Sequence, residues 1–118
     1  MSDNKISAVP IWISQFRALK TLNLKLNRIT SLPEEIGQLL KLETLIVCGN
    51  LITSLPKSLS KLKHLREFDA SRNQISTFPV ALSRLDHLDS VDLSSNKIKS
   101  IPDGVEDLQL TILSLNQV

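Results

Sequence analysis

Residues 19–41 read LKTLNLKLNRITSLPEEIGQLLK, and this stretch decides the fold. Apolar side chains fall at Leu19, Leu22, Leu24, Ile29, Leu32, Ile36 and Leu39, with Asn27 and Pro33 between them. The next stretch repeats the order with Leu42, Leu45, Val47, Asn50, Ile52, Leu55, Pro56, Leu59 and Leu62. Leu65, Phe68, Ala70, Asn73, Ile75, Phe78, Pro79, Leu82 and Leu85 follow, and then Leu88, Val91, Leu93, Asn96, Ile98, Ile101, Pro102, Val105 and Leu108. The prolines Pro10, Pro33, Pro56, Pro79 and Pro102 stand 23 residues apart, as do Asn4, Asn27, Asn50, Asn73 and Asn96. A fixed period of this length, with leucines between the markers, is the mark of a solenoid built from one supersecondary unit.

The chain therefore reads as one array: a partial repeat over 1–18, repeats over 19–41, 42–64, 65–87 and 88–109, and a partial repeat over 110–118. The fifth unit is one residue short, because the next opens at Leu110, Leu113 and Leu115. Met1 falls inside a unit and Val118 takes the place of the next turn asparagine, so the expectation is a piece of a longer array. A short free-standing solenoid, or an oligomer that covers the open ends, are the other readings.

Within a unit the physics differs from one side to the other. Thr21-Leu22-Asn23-Leu24-Lys25 alternates polar and apolar, the pattern of a strand with its leucines inward. Equal strands one period apart stack in parallel at about 4.8 Å. The asparagine follows at a turn, where its amide both donates and accepts and so can satisfy backbone groups inside the coil. Proline then presets φ for a short helical or 3-10 segment over Pro33–Leu39. That side takes more room than a strand, which places the strands on the inside of a curve.

These residues resemble the leucine-rich repeat family in its 23-residue intracellular, Ras-suppressor-like form. The resemblance implies an α/β solenoid: a right-handed horseshoe with parallel concave strands and short helical or 3-10 convex segments. It also implies a non-catalytic scaffold that binds a protein partner through the concave face, in the cytoplasm. The alternatives are a structural spacer in a larger signalling scaffold, or the regulatory repeats of an enzyme whose catalytic domain lies elsewhere.

Composition narrows the function further. Fourteen Lys and Arg against 12 Asp and Glu leave a net charge of +2, too little for a nucleic-acid footprint by charge alone. No apolar run approaches the roughly 18 residues of a membrane span, although a lipid anchor on a preceding segment stays open. Cys48 is the only cysteine, and Gly37, Gly49 and Gly104 are isolated, so neither an internal disulfide nor a phosphate loop is expected. No metal or other cofactor is expected. His64 and His87 share a slot on successive units, without the further ligands that zinc needs.

The candidate binding residues occupy the outward strand slots and the turn beside them. An apolar island of Leu26, Ile46, Cys48 and Leu51 lies next to an acidic strip of Glu67, Asp69 and Asp92, with Lys25 and Arg72 at the edge. A partner Lys or Arg would relieve the repulsion between the two aspartates; the other reading is that Arg72, three residues beyond Asp69, already does so. Asn4, Asn27, Asn50, Asn73 and Asn96 form the structural turn ladder. Phe16, Phe68 and Phe78 fall in core slots, whereas Trp12 is expected to pack on a neighbouring convex turn or a preceding unit, the other reading being an anchor for a partner.

Overall fold

The computed structural model describes residues 5–85, 87–98 and 113–114. Its strands are β1 (Thr21–Asn23), β2 (Thr44–Ile46), β3 (Glu67–Asp69), β4 (Ser90–Asp92) and β5 (Leu113–Ser114). They form one parallel sheet in chain order. Leu22, Leu45, Phe68 and Val91 face each other in register and point into the core. Leu113 pairs with Val91, 22 residues away, which accommodates the short fifth unit.

Each proline precedes a 3-10 segment. These are η1 (Ile11–Gln15), η2 (Glu34–Gln38), η3 (Lys57–Lys61) and η4 (Val80–Arg84). Pro10, Pro33, Pro56 and Pro79 sit just outside the helical turns with φ between −67° and −78°. Their carbonyls accept the first bond, as from Ile36 N–H to Pro33 at 3.0 Å. Strands stack on one side of the coil and 3-10 segments on the other. Between them the inward side chains of every turn merge into one apolar core, with Leu24, Ile36, Leu45, Ile52, Leu59, Phe68 and Ile75 fully buried. The architecture is an α/β solenoid, with its strands on the tighter, concave side.

The asparagine ladder closes the turns. Asn73 Nδ2 donates to Ala70 in its own turn at 3.0 Å and to Val47 in the previous turn at 3.0 Å. Its Oδ1 accepts from the Ile52 N–H at 3.0 Å. Asn50 does the same with Leu24, Val47 and the Ile29 N–H, and Asn96 with Ala70, Leu93 and the Ile75 N–H. The Leu24, Val47 and Ala70 carbonyls thus each bridge two asparagines. Asn27 contributes bonds to Leu24 and from Ile6, and Asn4 lies outside the described residues.

Two features depart from the expectation. Phe16 occupies the slot that Leu39, Leu62 and Leu85 fill in the core, yet it is 50 % exposed. Leu39 is enclosed by turns on both sides, whereas Phe16 has a described turn on one side only. Trp12 is itself 52 % exposed. It stands edge-on to Phe16, with ring centroids 5.7 Å apart and planes at 74°.

Gly37 sets how closely η2 and η3 approach. A Cβ there would meet the Ser58 Cβ and backbone oxygen at 2.7 Å. Gly37→Ala is expected to destabilise the fold by about 1–3 kcal/mol through overpacking. Urea unfolding measures it, and an unchanged midpoint would show that the two segments move apart freely.

Candidate functional site

The strand sequence builds the candidate surface. Outward residues alternate with inward ones, so Thr21 and Asn23, Thr44 and Ile46, Glu67 and Asp69, and Ser90 and Asp92 share the concave face. The register places Asn23, Ile46, Asp69 and Asp92 side by side in one row. Thr21, Thr44, Glu67 and Ser90 form the row beside it. Glu67 is exposed, while Ile46, Asp69 and Asp92 are half-buried. Next along each chain come half-buried Lys25 and Cys48. Leu26 and Arg72 are exposed at the exit turn.

That turn has a backbone property that the sequence pattern conceals. Leu26, Arg72 and Ser95 all have φ of 58°, and Gly49 has φ of 70°. The residue before each of Asn27, Asn50, Asn73 and Asn96 is therefore left-handed, a conformation that disfavours side chains other than glycine by about 1–2 kcal/mol. It aims the N–H at the next turn: Leu26 donates to Cys48 at 2.9 Å, Gly49 to Ser71 at 3.0 Å and Arg72 to Ser94 at 3.0 Å. Gly49 also makes room for Leu26, because a Cβ there would lie 2.7 Å from Leu26 Cδ2. One glycine in this row is the only trace of the conformation in the residue types.

The aspartates are held differently from the expectation. No ion pair joins Arg72 to Asp69; the ion pair among the described residues is Arg66–Asp89 at 3.5 Å, across two turns at the strand entrance. Asp69 Oδ1 instead accepts from Ser71 N–H at 3.0 Å and Ser71 Oγ at 2.7 Å. Asp92 Oδ1 accepts from Ser94 N–H at 2.9 Å and Ser94 Oγ at 2.6 Å. A serine two residues on supplies both a backbone N–H and a hydroxyl within hydrogen-bond distance. The repeated spacing in Asp69-Ala70-Ser71 and Asp92-Leu93-Ser94 was the signal for this clasp. Asn23 clasps the Lys25 N–H in the same way at 3.1 Å.

Cys48 sits among these charges. Burial pushes its thiol above the usual range and the Asp69 carboxylate adds to that, with Lys25 and Arg72 opposing. Alkylation of Cys48 by iodoacetamide is therefore expected to have a pH midpoint above the roughly 8.5 of a free cysteine. Asp69→Asn is expected to lower that midpoint. A midpoint at or below that of the free thiol would contradict the placement.

His64 and His87 are exposed, and His64 borders a shallow recess with Lys20, Lys41 and Glu43. An apolar crevice of about 160 Å³ opens between Leu55, Pro56, Phe78 and Pro79. No helix among the described residues is long and apolar enough to cross a membrane.

Comparison with known proteins agrees with this geometry. The family model described as leucine rich repeat matches residues 17–75 and 40–98. A leucine-rich repeat protein of Leptospira interrogans is 33 % identical with a TM-score of 0.69, over 96 % of this chain and 35 % of that one. The functional domain of InlJ from Listeria monocytogenes, which includes a cysteine ladder, is 27 % identical with a TM-score of 0.79, over 97 % of this chain and 23 % of that one. The chain thus spans about a third or less of these structures. No curated protein matches it. With the repeat, the parallel sheet and the family match in agreement, the chain belongs to the leucine-rich repeat family.

Proposed function

We propose that this array is a non-catalytic protein-binding module whose concave strand face, with the exit turn, contacts the partner. One observation carries the reading: Ile46 lies in register with Asp69 and Asp92 on a sheet face that no other element of the described chain covers. Apolar side chains rimmed by charge are the composition of a docking surface. Its residues are Lys25, Leu26, Ile46, Cys48, Glu67, Asp69, Arg72 and Asp92. The carboxylates lie on open sheet rather than in an enclosing pocket, which favours binding over acid–base chemistry. We further propose the 23-residue intracellular type and a cytoplasmic setting, on the strength of the Leu-Pro step repeated at Leu32-Pro33 and Leu55-Pro56.

Charge reversal at both positions, Asp69→Lys with Asp92→Lys, tests the face. Affinity purification of the full-length protein should lose partners that the unaltered protein retains. An unchanged partner set counts against the face. The small share of the neighbouring structures that this chain covers favours one other reading, a spacer within a larger scaffold. Deleting the surrounding repeats separates the two, because a spacer alone keeps no partner.

A further inference from the structure

We propose that the strand face receives an extended polypeptide segment bearing an arginine and, two residues away, an aliphatic side chain. This rests on the reading of that face as a docking surface and names the chemistry of what docks.

Charge is the first argument. The residues of β1–β4 include three carboxylates, Glu67, Asp69 and Asp92, and no lysine or arginine. All three stand on the adjacent strands β3 and β4, while Ile46 stands beside them on β2. Lys25 and Arg72, with Arg28 and Lys97 further round the exit turn, lie beyond the strand ends and leave the strand rows themselves without a cation.

Geometry is the second. Asp69 and Asp92 occupy one slot on adjacent strands, so their Cα atoms are about 5 Å apart and their side chains leave the same face. The serine bonds hold Oδ1 of each, fixing both carboxylates before any partner arrives and leaving Oδ2 for it. A planar guanidinium donates in two directions at once and can serve both carboxylates, whereas an ammonium is a single point of charge. Arg66 already reaches Asp89 across equivalent positions of the same two turns, at 3.5 Å.

Spacing is the third. From the midpoint of Asp69 and Asp92 to Ile46 is one and a half strand separations, roughly 7 Å. Two residues of extended chain cover that distance, and side chains two apart point the same way. An aliphatic group placed there meets Ile46 and Cys48, with Leu26 at the edge.

Selection of a random heptapeptide display library on the immobilised chain tests this. The enriched sequences should carry arginine with Leu, Ile, Val or Met two positions away. Their affinity should fall about tenfold or more on the double change Asp69→Asn and Asp92→Asn, which keeps an oxygen for Ser71 and Ser94 to donate to. Circular dichroism checks that this variant folds. Replacing the peptide's arginine by lysine should also weaken binding several-fold. The proposal is overturned if nothing is enriched, if the enriched sequences lack that spacing, or if the double variant binds them unchanged. Shielding of Cys48 from alkylation then separates two kinds of failure. Off-pattern peptides that shield it leave the docking face standing with another chemistry, and peptides that do not shield it remove the face as well.

Discussion

Asn73→Ala is expected to lower the unfolding free energy by about 3–5 kcal/mol, a large share of the 5–15 kcal/mol of a typical domain. The reason lies in what the side chain leaves behind. The buried Ile52 N–H loses its Asn73 acceptor, and the Val47 and Ala70 carbonyls each lose one donor. The Asn73 site is only 7 % exposed, so each orphaned group adds about 1–3 kcal/mol. Asn73→Asp should do no better, because it keeps the acceptor, gives up every donor and brings a charge against the Val47, Ala70 and Ser71 carbonyls. Asn23→Ala is the control: that side chain is half exposed and accepts only the Lys25 N–H, so it should change stability by less than about 1 kcal/mol. Denaturant unfolding of the three variants measures all of this. A loss below about 1 kcal/mol for Asn73→Ala would mean that the ladder is decorative.

The second large effect contrasts two phenylalanines that the repeat pattern treats alike. Phe68 is fully buried at the centre of the sheet, between Leu45 and Val91. Phe68→Ala should remove about 3–5 kcal/mol, the sum of lost transfer energy and the cavity left in a packed interior. Phe16 is 50 % exposed and touches Trp12 edge-on, so Phe16→Ala should remove about 1 kcal/mol. Equal losses at the two positions would place Phe16 in the core after all. Thermal and denaturant melts of both variants decide the matter.

The contrast shows what was legible in the sequence. The inward leucines, the parallel register and the asparagine bonds were legible because each must recur at every turn, so four or five copies spell out one requirement. The 3-10 segments were legible from the prolines. Phe16 was misread because burial at a slot needs a turn on each side, and slot identity does not carry that. The left-handed row of Leu26, Gly49, Arg72 and Ser95 was hidden because cooperative bonding between turns overrides the preference of three of its four residues. At the candidate site, the placement of Ile46, Asp69 and Asp92 followed from alternation alone. The serine clasps did not, because they depend on whether a hydroxyl or a guanidinium wins a carboxylate, a contest of local backbone geometry rather than of residue type.

Equal turns of chain stacked in one register hold the core, the asparagine ladder and the strand face in place. Nuclear Overhauser contacts between backbone protons of uniformly labelled protein measure that directly. The predicted result is a set of cross-strand contacts that follow the pairing of Leu22 with Leu45, Leu45 with Phe68 and Phe68 with Val91, with the step shortened by one residue between Val91 and Leu113. Contacts displaced by a residue along these strands, or their absence while the chain is folded, would contradict it.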